Sequence, residues 1–451
     1  MKNTHHKPKQ LIEAIQRVPQ DRVFLATNEA HYTYYDIAQL SNQFITANPH
    51  LIGGNCAVIS DDRESLALYL PVIDSIARTI LLLPKDAEGH EDAFFQSAEI
   101  NYVIQLSGCQ VSRIRILSKG QEPQKNEPAS YILATSGTTG TPKLASYHLD
   151  ALLSSAKSDI NLGKDFTWGL TYDINRFAGL QVYLQSISSG STLVVPSNSA
   201  TMTELIEVFS RESVNALSGT PSFWRKLLME PLHGELQLKR ITLGGEISNQ
   251  SVLSALSQRY STAAIVHIYA STEAGVGFVV KDKKEGFPVS FIEDDSGLAC
   301  QLKIVEGNLW IKSSNGCSKF IRGTLDIDRD GFINTGDMVK IENNRVIFLG
   351  RESGSINVGG NKVMPEKIES ILEHHSSVVM AKVFSKSNPV LGSLVACEIT
   401  IEDSVKCLSS KDLKRSILSF CREHLEPFEV PALFKVVDSI PINATGKKVR
   451  S

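Results

Sequence analysis

A stretch rich in hydroxyl groups and glycine precedes a lysine in the first third of the chain, in the sequence ATSGTTGTPK of residues 134–143. Glycine lets backbone N–H groups crowd around an anion, hydroxyl groups add donors, and Lys143 supplies positive charge. Such a loop costs ordering entropy and buries little surface of its own, so an external ligand is expected to bind it. The pattern predicts a phosphate-binding loop.

The order of residues in this loop differs from that of the Walker A motif. That motif requires Gly-Lys-Ser/Thr without interruption, whereas Pro142 separates Thr141 from Lys143 here. The sequence therefore disfavours an ordinary P-loop kinase or GTPase. The plain alternative, a flexible linker, is weakened by the apolar YILAT before the loop and by the lysine after it.

Length and composition indicate a globular protein of two or three domains. The chain has 451 residues, of which 42% are hydrophobic and 21% charged, and its formal net charge is −3. This charge balance gives no broad surface for nucleic acid or for an anionic membrane. Seven cysteines without Cys-x-x-Cys spacing favour reduced thiols over a metal–thiolate site.

The sequence also predicts the compartment. The most apolar window, 65–84, contains Pro71, Asp74 and Arg78, which argues against a membrane span. The first residues lack the apolar core of a signal peptide. We therefore expect a soluble cytoplasmic protein without a membrane span, and its oligomeric state stays open.

Short apolar runs separated by segments of helical period indicate an α/β fold. The runs at 56–60, 79–84 and 101–107 are typical of buried strands, and the helical period between the first two predicts a covering helix on a parallel sheet. The polar segment 107–130 predicts a surface connection. Further strands are predicted at 191–196, 215–221, 241–246 and 263–275, and further helices near 202–211 and 222–229.

The pattern changes after residue 298. Short strands alternate with turns up to residue 350, and the turn dipeptides Glu306-Gly307, Asp330-Gly331 and Asn343-Asn344 predict hairpins in a β-rich subdomain. A helix beginning at Pro365 opens a final unit. The predicted fold class is α/β, with a large N-terminal domain of mixed or parallel sheets, helices and the β-rich subdomain (1–351), and a small mobile α+β C-terminal domain (352–451).

Five motifs, in one order along nearly the whole chain, carry a resemblance to a known family. The phosphate loop TSGTTGTPK resembles the signature loop of the adenylate-forming superfamily, which comprises acyl- and aryl-CoA ligases, adenylation domains and luciferases. Any one motif alone would be weak, whereas five in order are specific. The other four are YASTEAG (269–275), INTGDMV (333–339), FLGRESGSINVGGNKVMPEKIE (348–369) and PINATGKKVR (441–450).

The resemblance implies a nucleotide site and the role of each residue in it. Tyr269 stacks on adenine, Thr272 contacts the α-phosphate, and Glu273 binds Mg²⁺, a hard ion that prefers oxygen ligands. Asp337 accepts hydrogen bonds from the ribose hydroxyls, and Arg351 reaches the ribose or the phosphates. The β- and γ-phosphates are held by Thr135, Ser136, Gly137, Thr138, Thr139, Gly140 and Lys143.

The resemblance also implies the residues at the reacting groups. Gly244 and Gly245 line the acyl and adenine pockets, where a side chain would obstruct the ligand. Ala270 stands where relatives carry glycine, which is expected to narrow the acyl pocket. Lys447 bridges the substrate carboxylate and the α-phosphate, and the C-terminal domain then rotates about a hinge near Ser353 to withdraw it.

The substrate is left open by the segment 170–195, which lines the acyl pocket in relatives. Phe177 begins FAGL, which resembles the apolar-Gly-Leu step of acyl- and aryl-CoA ligases. Tyr172 and Asp173 resemble the Phe-Asp pair of amino-acid adenylation domains, whose aspartate binds the substrate ammonium. Asp173 could equally form a structural ion pair with Arg176.

The activity implied is ATP-dependent, AMP-forming activation of a carboxylic acid, followed by transfer to a thiol. ATP and Mg²⁺ are the expected cofactors, and CoA or a phosphopantetheine thiol is the expected acceptor. An acyl- or aryl-CoA ligase fits best. The alternatives are a stand-alone amino- or hydroxy-acid adenylation enzyme that loads a carrier protein, and a nucleotide-binding relative that does not catalyse.

Overall fold

The computed structural model describes residues 8–118, 127–134, 143–293, 296–388, 392–402, 409–442 and 447–449. Lys143 belongs to these residues. The other predicted phosphate ligands, at 135–140, lie outside them. Among the described residues, no helix is long and apolar enough to cross a bilayer.

The helices cover the sheets and lie close to the predicted positions. The helix predicted between the first two apolar runs is α3, and those predicted near 202–211 and 222–229 are α8 and α9. In chain order the helices are α1 (Leu11–Gln16), α2 (Tyr34–Ala47), α3 (Arg63–Ile76), α4 (Glu91–Ser97), α5 (Leu149–Leu152), α6 (Ile160–Gly163), α7 (Phe177–Ser189), α8 (Met202–Arg211), α9 (Pro221–Met229), α10 (Gln250–Arg259), α11 (Pro365–His374) and α12 (Ser410–His424).

A first sheet of seven strands has the order β18-β8-β7-β4-β3-β5-β6. Its central strands β7, β4, β3 and β5 are parallel, as the apolar runs predicted. The strands up to this point in the chain are β1 (Val23–Ala26), β2 (His31–Thr33), β3 (Asn55–Ser60), β4 (Thr79–Leu83), β5 (Tyr102–Ser107), β6 (Gln110–Ile116), β7 (Ser130–Ala134) and β8 (Leu144–His148).

The segment 107–130 differs in part from the predicted surface connection. Its first part is the edge strand β6, which pairs antiparallel with β5 and exposes most of its side chains. An edge strand pairs on one side only and needs no buried face, so it can be polar. The polar composition of this segment therefore did not predict a strand.

A second sheet of eight strands has the order β14-β13-β12-β11-β9-β10-β1-β2. All neighbours from β13 to β1 are parallel, so the carboxyl ends of β11, β12 and β13 lie at one edge, where ligands bind in open α/β sheets. The strands that follow β8 in the chain and belong to this sheet are β9 (Thr167–Gly169), β10 (Thr192–Val194), β11 (Ala216–Gly219), β12 (Arg240–Gly244), β13 (Ala264–Ser271) and β14 (Gly275–Val280).

The remaining strands form the β-rich subdomain and the C-terminal part. An antiparallel sheet of order β15-β20-β19-β17-β16 confirms the subdomain, while β18 pairs with β8 in the first sheet. In the C-terminal part, β21 pairs with β22, and β23, β24 and β25 form a three-stranded sheet. These strands are β15 (Phe287–Pro288), β16 (Cys300–Val305), β17 (Asn308–Ser313), β18 (Lys319–Arg322), β19 (Ile333–Glu342), β20 (Arg345–Arg351), β21 (Ile356–Val358), β22 (Asn361–Val363), β23 (Val378–Asn388), β24 (Gly392–Ile401) and β25 (Leu433–Val436).

Two of the predicted hairpin turns have the backbone that their residues favour. Glu306 and Gly307 have φ of 50° and 78°, and Asn343 and Asn344 have φ of 49° and 61°. Positive φ at both central positions is the geometry of the two-residue turns that match strand twist. The turns therefore fix the register of β16 with β17 and of β19 with β20.

A buried carboxylate joins the amino-terminal helix to the first sheet. Asp74 on α3 accepts hydrogen bonds from the Leu11 backbone N–H and from the Tyr131 hydroxyl, each at 2.6 Å. All three residues are fully buried. The carboxylate thus satisfies two donors that the core would otherwise leave without an acceptor.

We expect Asp74→Ala to destabilise the fold by about 3 kcal/mol, because it leaves two buried donors without an acceptor. The measurement is the urea midpoint of unfolding. Tyr131→Phe is the matched control and should cost about 1 kcal/mol, because it removes a donor and leaves the carboxylate bonded to Leu11. Equal midpoints for Asp74→Ala and wild type would contradict this assignment.

Candidate functional site

One cavity of about 1650 Å³ lies at the carboxyl edge of the eight-stranded sheet, beside the β-rich subdomain and the C-terminal part. Every predicted site residue that the structure describes lines this cavity. These residues are Lys143, Tyr172, Asp173, Phe177, Gly244, Gly245, Tyr269, Ala270, Thr272, Glu273, Asp337, Arg351 and Lys447.

Asp337 is the centre of a hydrogen-bonded group in this cavity. Its Oδ2 accepts from the Tyr269 hydroxyl at 2.6 Å, and its Oδ1 accepts from Arg351 Nε at 3.2 Å. The carboxylate raises the pKa of the Arg351 guanidinium above its usual value, which outweighs the effect of burial. Burial, and then Asp337, raise the pKa of Tyr269, so its hydroxyl stays protonated.

Tyr269 is held by aromatic packing as well. Its ring lies nearly parallel to those of Phe278 and Phe348, at centroid distances of 5.1 and 5.3 Å. Phe278 faces it directly across β13 and β14. This packing holds the Tyr269 ring in place, and stacking of adenine on it stays a prediction.

A tight turn between β13 and β14 presents Thr272 and Glu273 to the cavity. Gly275 has φ of +70°, and a Cβ there would lie 2.3 Å from the Asn315 carbonyl oxygen, so this position requires glycine. The Glu273 carbonyl accepts from the Cys317 backbone N–H at 3.1 Å. This hydrogen bond holds the backbone of Glu273 in place, and Glu273 lines the cavity.

The donor set near Glu273 fits a hard divalent ion that is shared with a ligand. Among the described residues, no three His, Cys, Asp or Glu side chains form a metal-binding group. A single carboxylate is too little for a protein cage, but it suits Mg²⁺, which keeps waters and phosphate oxygens as its other ligands. Binding of Mg²⁺ by Glu273 stays a prediction.

Lys143 contacts the segment that follows β18, the edge strand of the first sheet. Its Nζ donates to the Thr324 carbonyl at 3.0 Å. A Cβ on Gly323, which has φ of +101°, would lie 2.6 Å from Lys143 Cγ. The glycine thus makes room for the lysine stem at the cavity wall.

Lys447 enters the cavity from the C-terminal part. A Cβ on Gly245, which has φ of +83°, would lie 3.8 Å from Lys447 Cε, so the lysine stem passes directly over this glycine. Burial, and then the Arg351 charge, lower the pKa of the Lys447 ammonium below its usual value. The carboxylates of Glu246, Asp337 and Glu273 oppose this change.

The next residue, Lys448, points the opposite way and is buried in a cluster of charges. Its Nζ lies 2.8 Å from Glu373, 3.1 Å from Glu369 and 2.7 Å from the Ala381 carbonyl oxygen. Its backbone N–H donates to Glu246 Oε1 at 3.1 Å. Successive residues of an extended segment point to opposite sides, so fixing Lys448 directs Lys447 into the cavity.

Arg225 on α9 connects this cluster to the large sheet. It lies 3.0 Å from Glu373 and donates to the Val379 carbonyl at 3.1 Å, and Asn249 donates to Glu373 Oε2 at 2.8 Å. We call Arg225, Glu369, Glu373 and Lys448 the interface cluster. Burial raises the pKa of Glu373, but Arg225 and Lys448 outweigh burial and lower it to about 2, so the Glu373 carboxylate stays ionised at neutral pH.

The sequence reasoning missed the interface cluster and Glu246. Glu369 and Glu373 are four residues apart on α11 and therefore lie on one helix face. The adjacent Lys447-Lys448 pair was the other available signal. Neither signal identifies Arg225 as the partner of Glu373, because the two residues are more than a hundred positions apart in the sequence.

Asp173 forms its ion pair with a residue that the sequence did not suggest. Arg63 Nε lies 2.6 Å from Asp173 Oδ1, and the two side chains are 16% and 25% exposed. Asp62 caps α3 by accepting from the Ser65 backbone N–H at 2.6 Å, which places Arg63 in the first turn of that helix. Arg176, the partner considered from the sequence, donates to the Ala134 carbonyl at 3.2 Å.

Two family models match the chain. The AMP-binding enzyme model matches residues 53–318, and the model of the AMP-binding enzyme C-terminal domain matches residues 367–447. The first match extends over more than half of the chain.

Curated relatives and solved structures resemble the chain at low identity. The 2-succinylbenzoate–CoA ligase of Staphylococcus aureus (strain MRSA252) is 23% identical over 71% of this chain, and the match spans 65% of that relative. The enzyme of the same name from Bacillus velezensis is 24% identical over 89% of this chain and 82% of its own. The ATP-bound RpMatB-BxBclM chimera B1 superposes with a TM-score of 0.76 at 20% identity, covering 98% of this chain and 97% of its own, which shows the fold.

We expect Lys448→Met to loosen the C-terminal part from the large sheet, because it leaves two buried carboxylates with half of their compensating charge. Breaking a buried ion pair on one side costs about 3–5 kcal/mol. The measurement is the radius of gyration from small-angle X-ray scattering, which should increase.

Arg225→Met tests the same cluster from the other side and should have the same effect. Lys435→Met, which removes an exposed lysine of β25, is the matched control and should leave the scattering unchanged. A wild-type scattering curve for both cluster variants would show that the interface cluster does not hold the two parts together.

Proposed function

Because the chain belongs to the AMP-binding enzyme family, within the adenylate-forming superfamily, we propose that it activates a carboxylic acid with ATP and transfers the acyl group to CoA. In the first half-reaction the carboxylate attacks the α-phosphorus, pyrophosphate leaves and an acyl-adenylate forms. In the second, the thiol attacks the acyl carbon and AMP leaves. The observation that carries the proposal is the convergence of Lys447, Glu273 and the Asp337–Arg351 pair on one cavity.

The chemical need of the first half-reaction is compensation of negative charge. A carboxylate must approach a phosphate, and the leaving group is itself an anion, so fixed cations stabilise the transition state more than the separate reactants. Lys447 has the position for this role, because its stem passes over Gly245 beside the carboxyl edge of β12. Mg²⁺, when bound with ATP through Glu273, would neutralise phosphate charge.

The nucleoside has a prepared acceptor in Asp337. Two hydrogen bonds already orient this carboxylate, from Tyr269 and Arg351, so ribose hydroxyls would meet an acceptor in a fixed position. Thr335 and Asn334 hold the turn beside it through hydrogen bonds to backbone N–H groups. Preorganisation of this kind lowers the cost of binding.

The second half-reaction requires Lys447 to leave. We assign residues 1–351 and 352–451 to the two domains and place the hinge near Ser353. The ion pair across this segment, Lys362 with Glu352 at 2.8 Å, is largely exposed, so its loss costs little. The hairpin of β21 and β22, with Gly359 and Gly360 at positive φ, would then approach the thiol.

The ion pair of Asp173 favours a CoA ligase over an amino-acid adenylation enzyme. An aspartate that already binds Arg63 at 2.6 Å has its charge compensated, so it has little to gain from a substrate ammonium. A stand-alone adenylation enzyme that loads a carrier protein is the second candidate. Pyrophosphate release from a panel of carboxylic acids, with and without CoA, tests the proposed function and its choice of acceptor.

We expect Lys447→Ala to lower acid-dependent pyrophosphate release at least a hundredfold, because one fixed cation contributes about 3 kcal/mol to such a transition state. Thioester formation from supplied acyl-adenylate and CoA should stay within a fewfold of wild type. Lys448→Arg, which keeps the buried charge, is the control for folding. Equal loss in both half-reactions would refute the role given to Lys447.

We expect Asp173→Asn to leave the preference between an amino acid and its desamino analogue unchanged, because Arg63 already occupies the carboxylate. The measurement is the ratio of kcat/KM for the two acids. A selective loss for the amino acid would instead make Asp173 an ammonium anchor and favour the second candidate.

A further inference from the structure

A short segment between β9 and α7 spans the carboxyl edges of the two large sheets. We call this segment, residues 171–176, the bridge; its last residue, Arg176, is the N-cap of α7. Tyr172, Asp173 and Arg176 line the cavity. Side chains of the bridge bond to both sheets, so it can fix one sheet edge relative to the other.

Two hydroxyl groups at the start of the bridge bond to the eight-stranded sheet. Thr171 Oγ1 donates to the Ser218 carbonyl, next to the end of β11, at 2.5 Å. The Tyr172 hydroxyl donates to the carbonyl of Gly244, the last residue of β12, at 3.4 Å. The start of the bridge is thus attached to the carboxyl edge of this sheet.

Two side chains at the end of the bridge bond to the seven-stranded sheet. Asn175 Nδ2 donates to the carbonyl of Leu83, the last residue of β4, at 3.1 Å. Arg176 Nη1 donates to the carbonyl of Ala134, the last residue of β7, at 3.2 Å. Because β4 and β7 are parallel neighbours, both carbonyls lie at the same edge of the sheet.

The backbone of the bridge is closely packed between these two ends. The Asp173 carbonyl accepts from the Arg176 N–H at 3.0 Å, and a Cβ on Gly179 would lie 2.1 Å from the same carbonyl oxygen. The first turn of α7 therefore packs directly on the bridge. Close packing of this kind transmits a displacement of one end to the other.

Arg176 connects the bridge to the strands that carry Lys143. Ala134, whose carbonyl binds Arg176, pairs with Leu144 across β7 and β8, and Lys143 is the residue before Leu144. On its other side, Lys143 bonds to the Thr324 carbonyl at 3.0 Å. Arg176 thus holds the edge from which Lys143 enters the cavity.

The proposed adenylation depends on the distance between two cations. The leaving pyrophosphate and the attacking carboxylate lie roughly in line on opposite sides of the α-phosphorus. Lys143 is the predicted ligand of the pyrophosphate part, and Lys447, whose stem passes over Gly245, is the proposed ligand of the carboxylate. Lys143 belongs to the edge of one sheet and Gly245 to that of the other, so their spacing requires a rigid connection between the sheets.

We propose that Arg176 is a positioning residue for adenylation, and that its hydrogen bond to Ala134 sets the distance between Lys143 and Lys447. This assignment rests on the proposed function and adds to it a residue that acts through Lys143. AMP and the acyl-adenylate lack the β- and γ-phosphates that Lys143 is predicted to bind. Their binding and use therefore do not depend on Arg176.

The test compares ATP with AMP, and the first half-reaction with the second. Arg176→Met should raise the Kd of ATP about tenfold in calorimetric titration, the scale of a lost hydrogen bond from a charged donor, and leave the Kd of AMP unchanged. It should lower kcat for pyrophosphate release about tenfold, because the reacting groups are misplaced. The KM of the acid, and thioester formation from supplied acyl-adenylate, should stay within a fewfold of wild type.

Arg176→Lys keeps the charge and a donor of shorter reach. Its loss should be smaller than that of Arg176→Met and again confined to ATP and the first half-reaction. This second variant applies the same comparison with the smallest change to the packing of the bridge.

Lys157→Met is the matched control, because it removes one positive charge from the same cavity at an exposed residue. The Lys157 backbone N–H donates to Gln185, more than two turns of α7 beyond Arg176. This variant should keep the wild-type ratio of the Kd values for ATP and AMP.

Two results would overturn this assignment and leave the proposed function standing. One is an equal weakening of ATP and AMP by the Arg176 variants, which indicates a general structural role, and the other is a wild-type kcat for pyrophosphate release. No release by the wild-type protein with any acid would overturn the proposed function, and this assignment with it.

Discussion

The buried attraction between Lys448 and the two glutamates of α11 determines where the proposed catalytic lysine lies. Four charges in the interface cluster have lost most of their hydration, and only complete pairing compensates for that loss. The pairing is complete when α9 and α11 are in contact. In that arrangement the residue before Lys448, which is Lys447, points into the cavity. One electrostatic constraint thus positions a side chain of the C-terminal part beside Asp337, the proposed ribose acceptor.

The same constraint makes the arrangement specific and is compatible with the proposed movement of the C-terminal part. A buried charge cluster tolerates little misalignment, so intermediate positions of the C-terminal part are costly. The segment near residue 353 has the opposite character, since its ion pair is exposed and a short glycine-containing turn follows it. A strong interface beside a weak connection favours two discrete positions over a continuous range, as the proposed alternating use of Lys447 would require.

The sequence predicted those features of the structure that local patterns of residues determine. Apolar runs indicated the parallel strands, the turn dipeptides at 306–307 and 343–344 indicated hairpins, and ordered motifs indicated the residues that line the cavity. The sequence did not predict the ion-pair partners of Asp173 and Lys448. An ion pair depends on which distant elements come into contact, and it produces no periodic pattern in the sequence. The strand 110–116 was missed for a related reason, since an edge strand has no buried face to produce an apolar pattern.

The distribution of charge in the cavity links these findings to specificity. Two acids that line the cavity have a cationic neighbour, Arg63 for Asp173 and Arg351 for Asp337, and Mg²⁺ is the proposed ligand of Glu273. Because Arg63 already compensates the charge of Asp173, that carboxylate has little to gain from a substrate ammonium, which supports the proposed CoA ligase over an amino-acid adenylation enzyme.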